Sequence, residues 1–223
     1  MNMMEFIREA HKLRLAPVSP DMYEFKKLAE NYLDEYIWAK KFISGTTLNG
    51  WVVPQSWEVK EAWLNNEPLE HPLSVWGYSE SFEGILKRPL EHHIRQGSSL
   101  PYVWDMYYSP EREDWGLNIL DQTWLGQNNR VKLVTEKKPG DMLCLGHRCD
   151  GTTHHTYIIN AHNCHAAQAN DNLSGCAVAI EVFRRLRGTK TRNTYELLIC
   201  PELIGTVFWL DADYSPNDIR GAI

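Results

Sequence analysis

Between residues 19 and 43 the apolar positions Met22, Phe25, Leu28, Ala29, Tyr32, Leu33, Tyr36 and Ile37 recur at intervals of three and four. That period lines one face of a helix and predicts a helix over 19–43. Ser19 is placed to cap its start. Pro20 sits at the first position, where a missing N–H costs little, and Gly45 follows the end. From residue 48 the period shortens. Trp51-Val52-Val53-Pro54 is a β-type run, and Trp57 to Leu64 partly alternates apolar with polar, as a half-buried strand does. Asn65-Asn66 and Glu67-Pro68 carry turn chemistry, and 75–78 and 82–86 are further short strands. The segment predicts a small β-rich module. Its Trp51, Trp57, Trp63 and Trp76 are expected to fill the core of a small sheet with few other large residues, ahead of the alternative that they line a ligand groove.

Residues 89–96 read as a short helix, and 101–115 is aromatic and irregular. Val131 to Thr135 and Met142 to Leu145, separated by Lys137-Lys138-Pro139-Gly140, give a hairpin signal. After that the pattern becomes strand, loop, helix, strand. Thr156 to Ala161 is β-branched and aromatic. Leu173 to Arg187 carries Leu173, Cys176, Ala177, Ile180, Phe183 and Leu186 on one side and stops at Gly188. Tyr195 to Cys200 is a buried-type strand. This is a βαβ unit, which implies parallel pairing. In such sheets functional residues gather beyond the carboxyl ends of the strands.

The chain carries 23 Lys+Arg against 29 Asp+Glu, a net charge of −6. Charged residues at 23% and hydrophobic residues at 43% are near globular averages and exclude a disordered tail or a fibre. The acidic balance argues against nucleic acid as a partner. The longest apolar run, Leu197 to Leu210, is interrupted by Pro201, Glu202 and Gly205, so no membrane partner is expected. Glu5, Arg8 and Glu9 rule out an apolar signal core at the N-terminus. Cys144, Cys149, Cys164, Cys176 and Cys200 are odd in number and form no CxxC pair, which fits reduced thiols in the cytoplasm.

Two polar clusters fall where the strand-end rule directs. His162-Asn163-Cys164-His165 through Asn170-Asp171-Asn172 follows the first strand of the βαβ unit, and Pro201-Glu202-Leu203-Ile204-Gly205 follows the second. Imidazole and carboxylate are suitable zinc ligands. Asp171 stands at a helix start, where the dipole favours its ionised form, and its two oxygens allow it to bridge two ions. Glu202 is placed to take a proton from an activated water. Each feature has an ordinary alternative: Asn170-Asp171-Asn172 as an N-cap, the two histidines as hydrogen-bonded surface residues, Glu202 as a solvated carboxylate, Cys164 as a small buried residue. Their coincidence on consecutive strand ends favours the metal site. His92-His93 and His154-His155 read as surface residues. His147 with Cys144 and Cys149 matches no standard metal spacing, and Asp211 and Asp213 carry no assignment.

The segment HNCHAAQANDNLSG (162–175) resembles the HxCHPxxANDNxSG signature of a group of aminopeptidase-like proteins, and CPELIGTVFWL (200–210) resembles that group's PETIGS segment. NGWVVPQSWEVKEAWL, PLSVWGYSESFEGILKRPLEHHI and LPYVWDMYYSPEREDWGL are similar to its inserted β-rich domain and the return to the core. The group belongs to the zinc-dependent exopeptidase superfamily, whose members hold two co-catalytic zinc ions. The resemblance implies Asp171 as bridging carboxylate, Glu202 as general base, and His165, with His162 as competing candidate, as imidazole ligand. Ala166 stands where the group has Pro, and Leu203 where the wider superfamily has a second, ligating Glu. The superfamily takes a further Asp and His from downstream of the part this chain resembles, so one zinc or two are implied.

The fold expected is therefore α/β, a mixed and largely parallel sheet with flanking helices in three layers, carrying an inserted β-rich domain and lacking the C-terminal part. The expected division is 1–45 helical part of the core, 46–100 inserted domain, 101–223 α/β core. The expected activity is zinc-dependent, aminopeptidase-like hydrolysis of a peptide or small amide. The alternatives are an amidase or deacylase acting on a modified sugar or small metabolite, and a catalytically inactive binding or scaffold relative. A homo-oligomer is compatible with the sequence.

Overall fold

The computed structural model describes residues 1–87, 92–103, 113–120, 125–213 and 218–223. The chain opens with α1 (Met3–Ala10), α2 (Asp21–Leu33), β1 (Trp38–Ile43) and the short β2 (Thr47–Leu48) and β3 (Trp51–Val52). Then follow β4 (Ser56–Leu64), β5 (Glu67–Pro68), β6 (Phe82–Lys87), β7 (Ile94–Gly97), β8 (Leu117–Leu120) and β9 (Asn128–Lys138). The last third holds β10 (Asp141–Cys149), β11 (Thr156–His162), α3 (Leu173–Leu186), β12 (Thr194–Cys200), α4 (Ile204–Asp213) and β13 (Ile219–Ala222). These elements form two compact units, 1–53 with 140–223, and 54–139.

In the first unit the strand order is β1-β10-β12-β11-β13. β1 and β12 pair with β10 antiparallel, while β12 and β13 pair with β11 parallel, so the sheet is evenly mixed rather than largely parallel. One face carries Leu143, Leu145, Leu197 and Ile199 against Phe6 of α1, Phe25 of α2 and Phe183 of α3. The other carries Cys144, Ile158, Leu198 and Cys200 against Trp209 of α4. Helix, sheet and helix make the three expected layers. The βαβ unit forms as its periodicity predicts, with His162 opposite Cys200 at the parallel strand ends. α1 escapes the apolar-period reading. Its signal is the reciprocal cap, in which Asn2 Oδ1 accepts from Glu5 N–H at 3.0 Å and Glu5 Oε2 from Asn2 N–H at 2.8 Å.

The helix expected over 19–43 is shorter. Ser19 Oγ does accept the Asp21 N–H at 3.2 Å, but Asp34 turns left-handed at φ 62° and ends α2. The chain then re-enters as β1, because Trp38 to Ile43 satisfies its backbone against β10. The apolar stripe runs on through Ile37, so helix and strand faces share one core and the period alone hides the break.

The second unit has a four-stranded antiparallel sheet, β5-β4-β9-β6, and a parallel β7–β8 pair. Ala62, Leu64, Val131, Leu133, Trp115 and Leu117 build its core. Trp76 is buried and donates its indole N–H to Asn118 Oδ1 at 2.9 Å, and Trp57 donates to Ser79 O at 2.9 Å. The expected 131–145 hairpin does not form. β9 pairs with β4 and β6, and β10 pairs with β1 and β12, so Pro139-Gly140 joins two sheets instead of turning within one. Of the expected helix at 89–96, residues 89–91 lie outside the described residues, while 94–97 are strand. Most of the aromatic run at 101–115 is likewise outside them. The compact units are bounded at 53/54 and 139/140, where the sequence division stood at 45/46 and 100/101. Among the described residues no helix is long and apolar enough to cross a membrane.

Candidate metal centre

β11 ends at His162, and the chain then loops through 163–171 before α3. Asn172 caps that helix, its Oδ1 accepting the Gly175 N–H at 3.1 Å. A Cβ on Gly175 would lie 2.1 Å from that oxygen, which accounts for glycine at this point of the motif. Asp171 therefore precedes the cap and does not occupy it. Its carboxylate is 76% exposed. His162 Nε2 lies 2.6 Å from Asp171 Oδ1, and His165 Nε2 lies 3.9 Å from Asp171 Oδ2. Two imidazoles thus face the two oxygens of one carboxylate. A contact this exposed contributes little to stability.

The imidazoles are held from behind. His165 Nδ1–H donates to Ala166 O at 2.8 Å, which fixes the ring with Nε2 toward Asp171. The Asn172 side-chain amide stands 3.5 Å from His162 Nδ1. Gln168, 1% exposed, spans the loop: its Nε2–H donates to His165 O, and its Oε1 accepts the Asn172 N–H at 2.9 Å. His11, just past α1, donates from Nδ1 to Gln168 O at 2.6 Å. The position of His11 in sequence gives no hint of this role.

The second cluster meets the first through Cys164. Its thiol contacts the Glu202 backbone amide and feels the charges of Glu202 and Asp171. Burial pushes that thiol up to about 12, so Cys164 is inert packing rather than an anionic ligand. Asn163 N–H bonds Cys200 O at 3.4 Å, tying the two strand ends together. Glu202 is exposed in the turn between β12 and α4. A Cβ on Gly205 would stand 2.7 Å from Cys200 Cβ, so only glycine lets α4 start this close to the strand. Leu203 beside Glu202 is 56% exposed and left-handed at φ 59°, an uncommon conformation for a bulky residue.

Residues 21–218 match the family described as Domain of unknown function (DUF4910). The chain belongs to this family. The DUF4910 chain is 26% identical over 182 residues to a Clostridium acetobutylicum protein provisionally named for polysaccharide biosynthesis and an aminopeptidase-like domain. That match covers 75% of the chain and 41% of the relative. A solved structure from the same organism, provisionally named a peptidase, superposes with TM-score 0.81 at 21% identity, covering 95% of the chain and 52% of that structure. BSAP, a zinc aminopeptidase from Bacillus subtilis, superposes with TM-score 0.60 at 12% identity, covering 97% and 65%. At these identities the likeness shows the fold, and the chain spans about half the length of the first two relatives.

The remaining candidates in the DUF4910 chain have ordinary partners. His147 donates from Nδ1 to Tyr36 O at 2.9 Å and pairs through Nε2 with Glu35 at 2.8 Å. His154 and His155 are exposed. The donor chemistry at His162, His165 and Asp171 suits zinc. Among the described residues, however, no group of three or more His, Cys, Asp or Glu side chains is gathered closely enough to hold a metal ion.

Proposed function

We propose that the chain carries part of the active site of a zinc-dependent, aminopeptidase-like hydrolase that cleaves a peptide or amide bond. The supporting observation is the convergence of His162 and His165 on the Asp171 carboxylate at the end of β11, tied through Cys164 to the Glu202 turn. His162, His165 and Asp171 would hold the ion, with His162 the nearer imidazole. Bound there, zinc would supply a Lewis acid that lowers the pKa of water and polarises a carbonyl. A Glu202 carboxylate oxygen accepts the proton from the attacking water and returns it to the leaving nitrogen. Gln168 and His11 keep the ligand loop in register. Leu203 cannot coordinate, so a second ion would lack a ligand at this position.

The test is zinc content by elemental analysis, with hydrolysis of aminoacyl anilides. Asp171→Asn is expected to lose bound zinc. Glu202→Gln is expected to keep zinc and lose about 10²–10⁴-fold in rate. Unchanged zinc in the first variant sinks the ligand assignment, and retained hydrolysis in the second sinks the base. A second reading, an amidase or deacylase on a modified sugar, draws support from the polysaccharide-biosynthesis name of the Clostridium relative. Hydrolysis of N-acetylated sugars, with aminoacyl anilides untouched, would select it.

A further inference from the structure

We propose that the open face of the four-stranded sheet in the 54–139 unit binds a saccharide chain, with the Trp63 indole as its platform. Along β4 and β9 the side chains alternate. Ala62, Leu64, Val131 and Leu133 go into the core, while Glu61, Trp63, Arg130 and Lys132 take the opposite face. Trp63 is 39% exposed and lies outside the described core of this unit, on which Trp57 packs. With Glu61, Asn66, Arg130 and Lys132 it lines a shallow cavity of about 300 Å³. That size falls at the lower end of small-molecule sites.

The chemistry of the lining selects the ligand class. A pyranose offers one apolar C–H face and a rim of hydroxyls that both donate and accept. The negative face of an indole suits those C–H groups. Around it stand an acceptor, Glu61, two cationic donors, Arg130 and Lys132, and the Asn66 amide, which does both. The charges balance locally. Lys132 Nζ donates to Glu61 Oε2 at 2.5 Å, and Arg130 lies 3.6 Å from Glu83. A single-stranded nucleic acid also stacks on aromatics, but it needs a net positive groove, which this face lacks. Addition of a peptide strand at β5 is disfavoured by Pro68, which stands opposite Trp63 and has no N–H. A hydroxylated ligand satisfies both the ring and its polar rim.

The experiment titrates the 223-residue chain with cellohexaose, maltohexaose and chitohexaose. Calorimetry and the indole N–H resonances serve as readouts. One of the three is expected to bind and to shift the Trp63 resonance. Trp63→Ala, a surface change whose fold is checked by thermal melting, is expected to weaken binding by about tenfold or more. Trp63→Phe keeps an aromatic face and recovers part of it. No heat and no shift with any of the three at millimolar concentration overturns the proposal. So does binding that survives Trp63→Ala unchanged. Neither result bears on the zinc site, which lies in the other unit.

Discussion

Gln168 shows how a residue with no obvious chemistry shapes a site. Its side chain joins the carbonyl of His165 to the amide of Asn172, and its backbone carbonyl accepts the His11 Nδ1–H. Replacing it with alanine strips two partly buried backbone groups of the partner that the buried Gln168 side chain supplies. Each such loss costs about 1–3 kcal/mol, so Gln168→Ala is expected to lower unfolding free energy by about 2 kcal/mol in urea denaturation. A loss below about 0.5 kcal/mol, typical of an inconsequential surface change, would show that the loop holds its form without it. The sequence already placed His162, His165, Asp171 and Glu202 at neighbouring strand ends, because residues after parallel strands must gather there. The resemblance put His165 ahead of His162, whereas His162 stands nearer to Asp171, at 2.6 Å against 3.9 Å. That depends on how the loop folds back, and the loop is set by Gln168 and by His11, which stands 157 positions away from Gln168. Likewise nothing in the letters Glu202-Leu203 announces a left-handed leucine. The turn into α4 imposes it.

Elements were readable where one physical period governs one element. α3 and its two strands are such a case, since the period changes at each boundary. α2 and β1 are not, because Ile37 continues the stripe after the helix has ended at Asp34. The apparent hairpin failed for a different reason. Proline and glycine punctuate a tight turn and a boundary between two sheets in the same way. What decides between them is which strands lie beyond, and β10 is claimed by β1 and β12. The closeness of that claim is visible at Gly146. The Trp38 ring covers it so tightly that a Cβ would stand 2.1 Å from the indole and 2.5 Å from the Leu197 carbonyl. The carbonyl belongs to backbone and cannot step aside. Gly146→Ala is expected to cost about 1–3 kcal/mol through overpacking, read as a fall of several degrees in Tm. An unchanged Tm would mean that β1 moves freely against β10.

For the whole molecule, the question is whether the first unit depends on the second. Val53 and Gly140 flank the 54–139 unit, and both are bonded to the same short stretch. Gly45 N–H donates to Val53 O at 2.8 Å, and Ser44 N–H donates to Gly140 O at 2.9 Å. Gly140 N–H in turn donates to Ser44 Oγ at 2.9 Å. The two ends are thus held side by side by residues of the first unit, and a short flexible linker joins them without displacing either. Closing a few linker residues costs less than closing the 86 residues of 54–139, although the gain is small because loop entropy grows only logarithmically with length. Among the described residues the first unit also carries a core cluster on each face of its sheet. A chain in which 54–139 is replaced by a short Gly-Ser linker is therefore expected to stay folded. Amide protons of β10, β11 and β12 should remain protected from exchange, and α3 should keep its circular dichroism signal. Loss of protection across those strands would show that the second unit supplies folding free energy to the first. The Trp63 face and the His162–Asp171 loop would then have to be studied as one cooperative system rather than as separable parts.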